Sequence, residues 1–352
     1  MTRKSAETEG RHTIRDVAAR AGVSPSTVSR VLGGQYPVSA DTRNRVMRAV
    51  AALDYVADAR AKAVAGAGTP TLAFVLDDIT GPSFAQMAQG VEREAKRLGH
   101  LCLVCSTDGD ADQQMAFVDM MRAQRAAAVI LVGGAGDTPE HHRRTAKMAH
   151  ALKAAGSRLV LCGRPPLDDT SAPVTVIEYD NEGGAHALTT HLLAKGHRRI
   201  LLLGGAADNA TLRGRERGYE AAHRAFGVEP DPALRLAGDF TRDSGHGLMR
   251  RALAEGLDFT AVFAATDMVA SGALTALHEA GTSVPGDISL VGYDDIPLAR
   301  DLHPALTTVH VPYEELGRLA VHTAITRSPD APDEHLLLGT HVVVRDSVGA
   351  RG

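Results

Sequence analysis

Pro25, Ser26, Ser29 and Arg30 place short polar groups and one guanidinium at i, i+1, i+4 and i+5, a spacing that shares one face of a helix. Side chains of this size fit the edges of base pairs, and an arginine among them reaches a guanine or a backbone phosphate. The helix that must carry them is legible: Ser24 caps it, and Val28, Val31 and Leu32 fall on its opposite, apolar side. Upstream, Thr13 caps a first helix with Asp16 closing a capping box, and Ile14, Val17, Ala18 and Ala21 recur at i, i+3, i+4 and i+7. Gly22 makes the tight turn between the two. This is the layout of a helix-turn-helix that reads double-stranded DNA. A third helix, opened by Ser39 and carrying Val46, Ala49, Val50 and Leu53, closes the core without metal or disulfide.

A second set of chemistry-bearing residues lies downstream and suits a polyhydroxylated ligand. Asp267 and Asp294 follow short apolar runs at 261–264 and 288–291, and Arg164 follows one at 159–162. The carboxylates accept hydrogen bonds from hydroxyls, and the guanidinium donates a fork back. Phe84 and Phe240 offer flat apolar surface against a ring. A sugar fits this set best, with a purine as the alternative. Further apolar runs at 72–76, 101–105, 128–132, 174–177 and 200–203 alternate with amphipathic stretches, as buried strands of a parallel sheet do. In such a sheet a ligand sits at the carboxyl ends of the strands.

The order of motifs carries a resemblance. Residues 13–65 resemble the headpiece of the lactose-repressor and purine-repressor family of bacterial regulators, whose signature DVA..AGVS..TVSRVL is met from Asp16 to Leu32. Gly33 stands where the family usually has an Asn that touches phosphate. The segment 55–65 is similar to the family's hinge, which implies a short helix formed when two subunits meet on DNA. Alone it is too short to be stable in water, so DNA has to supply the ordering energy. Val64 matches the family's minor-groove leucine wedge, Lys62 stands where Arg is frequent, and Ala57 where Pro is usual. The DNA contacts expected are Thr13, Ser24, Pro25, Ser26, Thr27, Ser29, Arg30, Lys62 and Val64.

Residues 71–348 resemble the two-lobed fold of periplasmic sugar-binding proteins, which in this family is fused behind the headpiece. The marks are Pro82-Ser83-Phe84, Asp180-Asn181-Glu182-Gly183-Gly184, Lys195-Gly196-His197, Arg215-Glu216-Arg217-Gly218-Tyr219, Ala265-Thr266-Asp267-Met268 and Gly292-Tyr293-Asp294-Asp295. The resemblance adds Arg213 to the pocket and reads Arg215 as structural. The ligand set is then Phe84, Arg164, Arg213, Phe240, Asp267 and Asp294. The fold class expected is α/β: an all-α helix-turn-helix headpiece with a hinge, joined to a two-lobed α/β sensor. The expected divisions are an arm at 1–12, a headpiece at 13–57, a hinge and linker at 58–70 and the sensor at 71–348. The resemblance implies a repressor whose hold on a palindromic operator is controlled by a small metabolite.

Charge agrees with this division. Residues 1–65 carry eleven Lys or Arg against six Asp or Glu, while the whole chain is at −4, so the positive charge sits on the headpiece. The sequence has no G-x-S-x-G elbow, P-loop or H-E-x-x-H, which argues against an enzyme on a Rossmann-like domain. A sugar-binding receptor has no use for the headpiece. Cys102 and Cys105, three apart on a strand, point to opposite faces and cannot share a metal, and His141 and His142 beside Arg143 and Arg144 read as a solvated helix face. No cofactor or metal is expected. The first residues lack a signal-peptide pattern, and the reduced thiols suit a cytoplasmic protein. Without a trailing heptad helix, a homodimer is the expectation. If Val64 is the wedge, Val64→Asp abolishes specific operator binding and Val64→Leu deepens the bend. Gel mobility on circularly permuted operator fragments checks both. An aspartate variant that binds and bends like the parent rules the hinge out of the groove.

Overall fold

The computed structural model describes residues 12–33, 37–55, 70–133, 136, 138–204, 209–328 and 334–351; Ala57, Lys62 and Val64 lie outside them. The chain divides into two compact units, 1–70 and 71–352.

In the first unit, α1 (Ile14–Ala21), α2 (Pro25–Gly33) and α3 (Ala40–Ala52) enclose a core of Val17, Ala18, Ala21, Val28, Val31, Val46 and Ala49. Ile14, Leu32, Val50 and Leu53 are half-buried around it. Gly22 has φ +63°, the left-handed conformation that ends α1 and lets Val23 N–H reach back to Ala18 O at 3.1 Å. Ser39 caps α3 by accepting from Thr42 N–H at 3.3 Å.

The second unit alternates strand and helix: β1 (Thr71–Leu76), α4 (Pro82–Arg97), β2 (Leu101–Ser106), α5 (Ala111–Ala123), β3 (Ala128–Val132), α6 (Pro139–Ala154), β4 (Arg158–Cys162) and β5 (Val174–Tyr179). These strands form one lobe's sheet, closed by β11 (His335–Leu338) in the order β11-β5-β4-β3-β1-β2, all parallel. The other lobe holds α7 (Asn181–Ala194), β6 (Ile200–Leu203), α8 (Ala210–Ala225), β7 (Arg235–Leu236), α9 (Arg242–Ala254), β8 (Ala261–Ala264), α10 (Asp267–Glu279), β9 (Ser289–Val291) and α11 (Leu298–Asp301). Its four parallel strands run β7-β6-β8-β9. The chain then returns through β10 (Thr308–His310) to α12 (Tyr313–Thr326), which packs on α4 of the first lobe. After β11 it crosses again to β12 (His341–Val343), antiparallel to β10. The apolar stretch beginning at Leu336 is thus two strands in two different sheets. β5 also runs on to Tyr179, where Leu338 pairs with it.

Both faces of the first sheet are buried. Leu72, Phe74 and Leu76 of β1 enter one core and Ala73 and Val75 another, which is why the strand reads as an unbroken apolar run. Cys102 and Cys105 divide between the same two cores, as their spacing requires. Helices α4 and α12 touch backbone to backbone: a Cβ on Gly90 would sit 1.9 Å from Glu314 O, and one on Gly317 2.1 Å from Met87 O.

This crossing carries a buried carboxylate. Glu94 of α4 accepts from Arg97 Nε at 2.7 Å and lies 2.9 Å from His322 Nδ1 on α12. The Arg97 guanidinium, joined by His322, holds its carboxyl down to about 2 from an ordinary 4.5. A depressed carboxyl stabilises the fold above its unfolded value and loses that contribution as pH falls through its folded value. Glu94→Gln is therefore less stable than the parent at neutral pH, and the gap closes as pH falls from 4.5 toward 2. Urea unfolding at neutral and acid pH measures this; a gap that stays constant or widens in acid contradicts it.

Candidate functional site

Each unit presents one site. On the first, Ser24 accepts from Thr27 N–H at 3.2 Å, and its hydroxyl lies 2.8 Å from those of Ser26 and Thr27. Pro25 begins the helix, where its missing N–H costs nothing. Ser24, Pro25, Ser26, Ser29 and Arg30 are exposed and Thr27 is half-buried, while Val28 and Val31 anchor the helix beneath them. Thr13 is exposed too, with both its N–H and its hydroxyl donated to the Asp16 carboxylate at 2.7 and 2.8 Å. The outcome is a polar face at the positive end of a helix, a surface suited to phosphates and base edges.

The second unit holds a cavity of about 300 Å³ lined from both lobes. Its walls are strand carboxyl ends and helix N-termini: Asp77 and Asp78 after β1, Gly133 after β3, Gly163 after β4 and Tyr179 ending β5. Facing them are Asn209, Thr241 and Thr266, the caps of α8, α9 and α10. Gly133 has φ +92°, and a Cβ there would lie 3.3 Å from Phe84 Cζ and 3.4 Å from Asp77 Oδ2. The glycine makes room for the ring of Phe84 on the cavity wall.

The base of the cavity is an ion pair with a hydrogen-bonded collar. Asp294 is 7 % exposed and Arg215 1 %; Arg215 Nη2 donates to Asp294 Oδ1 at 3.1 Å, and Tyr313 O–H donates to the same oxygen at 2.8 Å. Arg215 Nε donates to Asn181 Oδ1 at 3.0 Å, Nη1 to Ala265 O, and its guanidinium lies 3.7 Å over the Tyr293 ring. Burial works against the charge on Arg215, but Asp294 together with Tyr179, Tyr293 and Tyr313 more than offsets it and the group stays a cation. Burial pushes the Asp294 carboxyl above its usual range, opposed by Arg215 and Tyr313. Asp294 adopts φ +111°, a strained conformation for a residue with a Cβ. Its N–H holds Val309 O at 2.9 Å, which fixes the aim of its carboxylate.

The structure brings Phe84, Phe240 and Asp294 together in the cavity wall and leaves Arg164, Arg213 and Asp267 out of it. Asp267 is fully buried behind the wall, where Oδ2 accepts from Ile296 N–H at 2.9 Å and Oδ1 from the Thr308 hydroxyl at 2.6 Å. It clamps the loop that carries Asp294, and burial raises its carboxyl well above the usual range. Arg164 follows Gly163, whose φ of +70° turns the chain just past the end of β4. Gly163 meets the cavity, whereas Arg164 turns inward to Val132 O at 2.8 Å. Arg213 lies two positions from both Thr211 and Arg215, which share a helical face and line the cavity. That places Arg213 on another face, half-buried.

Three other results correct or extend the sequence reading. Arg215, read as structural, is both a buried anchor and part of the wall. Tyr179 and Tyr313 also line the cavity, with ring centroids 5.6 Å apart; the signal for Tyr179 was its place just before the Asp180-Asn181 cap. The expected solvated face at His141 and His142 is wrong. His142 is buried, 2.9 Å from the Asp168 carboxylate, and burial pushes His141 down to about 4. Among the described residues no group of three His, Cys, Asp or Glu side chains could hold a metal.

Comparison with known proteins places this geometry. Residues 13–58 match the family model of bacterial regulatory proteins of the lacI family, and residues 189–348 that of a periplasmic binding protein-like domain. The chain is 34 % identical to the HTH-type transcriptional regulator CelR of Thermobifida fusca, over 97 % of this chain and 99 % of that protein. It is similar to the solved CelR–cellobiose complex, with a TM-score of 0.70 and 32 % identity over 96 % of this chain and all of that one. It is also similar to the lac repressor dimer bound to operator and an anti-inducer, with a TM-score of 0.83 and 28 % identity over 97 % of this chain and all of that one.

The buried pair yields a stability prediction. Asp294→Leu strands the Arg215 cation and costs about 3–5 kcal/mol, whereas adding Arg215→Met to the same chain recovers most of that loss. A urea-denaturation double-mutant cycle reads the coupling. Simple additivity of the two single losses would show that the pair does not act as one unit.

Proposed function

The chain belongs to the LacI family of bacterial regulatory proteins and is a DNA-binding transcriptional regulator, and on that premise we propose that it is a homodimeric repressor whose grip on a palindromic operator is set by a sugar held in the cavity. The observation that carries the effector half is that one cavity takes walls from both lobes, with rings on its sides and a carboxylate–guanidinium pair at its base. A ligand filling it binds one arrangement of the lobes better than any other, and that difference in affinity is the free energy available to shift the protein between two states. The bound cellobiose of the CelR complex supports a sugar here, and the rings and carboxylates suit its apolar and hydroxyl faces.

The DNA half rests on the exposed face of α2. Ser26, Ser29 and Arg30 meet the major groove, with Pro25 and Ser24 bringing the helix N-terminus toward a backbone phosphate. Asp294 and Arg215 contact the effector directly, while Phe84 and Phe240 cover its ring. The protein works as a binding switch in the cytoplasm with no turnover. Among the described residues no helix is long and apolar enough to cross a membrane.

Arg30→Ala removes a groove or phosphate contact and leaves the sensor untouched, because the two sites belong to separate units. Operator affinity falls by at least about tenfold, the loss of one charge-assisted contact, while effector binding is unchanged. DNase footprinting and calorimetry on the same preparation check both halves. Full protection by the variant removes Arg30 from the interface; a parallel loss of effector binding shows that the two units are not independent.

A further inference from the structure

The charges around the cavity say which kind of sugar it takes, an inference that rests on the sugar reading above. Among the described residues its charged lining is Asp77, Asp78 and Asp294 against Arg215 alone. Asp294 answers the charge of Arg215, and Asn181, Ala265, Tyr179 and Asp294 take four of its five N–H donors, which leaves one for a ligand hydroxyl. Among the described residues no lysine lines the cavity. The buried Arg164 behind the wall answers part of the charge on Asp77; the exposed Asp78, whose carboxylate accepts from Thr80, adds negative charge that no cation of the lining offsets.

The hydrogen-bonding balance points the same way. The helix N-termini at α8, α9 and α10 give part of their N–H groups to their own caps: Asn209 takes those of Thr211 and Leu212, Thr241 that of Ser244, and Thr266 that of Val269. Sites built for phosphate leave such donors open and add a cation. Here the wall offers carboxylate acceptors, so its ligand must bring donors. A hydroxyl donates and accepts; a phosphate at neutral pH carries close to two negative charges and only accepts. Tyr179, Tyr313, Met87, Met268 and Ile296 add apolar surface that favours the C–H faces of a ring.

We infer that the effector is an uncharged sugar and that the cavity rejects its phosphorylated form. Calorimetry with the full chain against matched pairs tests this: glucose and glucose 6-phosphate, ribose and ribose 5-phosphate, cellobiose and its 6-phosphate. Hypoxanthine and guanine form a separate arm. The neutral member of the productive pair binds at least roughly a hundredfold tighter than its phosphate, as repulsion between like charges in a shared site requires. Asp77→Asn with Asp78→Asn narrows that ratio by raising affinity for the phosphate. A phosphorylated member that binds equally or more tightly overturns this inference and leaves the sugar reading standing. Binding of a purine but of no sugar overturns the sugar reading itself.

Discussion

A guanidinium almost wholly removed from water, as Arg215 is, has to be answered by a counter-charge and a full set of acceptors, or the region around it cannot fold. Its acceptors come from distant parts of the chain: Asn181 at the start of α7, Ala265 after β8, Tyr179 at the end of β5 and Asp294 after β9. Tyr313, at the start of α12, closes on the same carboxylate. The pair thus gathers the ends of both sheets and the first turns of two helices at one point. It is also the base of the cavity, so the group that organises the fold is the one a ligand meets.

Around that point the two lobes are built as stiff bodies. Glycines let helices approach to backbone contact within each lobe: Gly90 and Gly317 between α4 and α12, Gly218 between α8 and α7, Gly245 and Gly272 between α9 and α10. Any side chain at these positions would overlap a carbonyl or amide of the partner helix, so the packing tolerates little sliding. The lobes are joined by three chain crossings, from β5 to α7, from β10 to α12 and from β11 to β12. Beside these crossings one continuous apolar cluster joins Leu72 and Phe74 of the first lobe to Ile200 and Phe263 of the second.

The headpiece follows a different economy. Its core is seven small or β-branched residues on three helices, and among its described residues no charged side chain is buried. Such a unit holds its recognition surface by caps and a single left-handed glycine. Its net charge is positive, while the acidic excess goes to the sensor.

How much was readable from sequence depends on whether local pattern or distant contact fixes a residue. The headpiece helices, the caps, the parallel strands and the opposite facing of Cys102 and Cys105 follow from periods of 3.6 and 2, and these are properties of the chain itself. That Phe84, Phe240 and Asp294 stand at helix starts or strand ends also follows from local pattern. The failures lie where one residue's step along an element decides its direction. Arg164 is one residue past Gly163 and turns away; Arg213 is two from Arg215 and misses the wall; Asp267 sits next to its cap and faces the back of the cavity. Only the tertiary structure assigns Arg215 its partners, because they come from three separate segments, 179–181, Ala265 and Asp294, and no sequence spacing encodes their meeting. The sequence by itself determined which elements form and which residue types reach the crevice. The packing of the two lobes decided which of those side chains share one cavity, since a side chain buried at a junction takes its direction from whichever distant group can satisfy it.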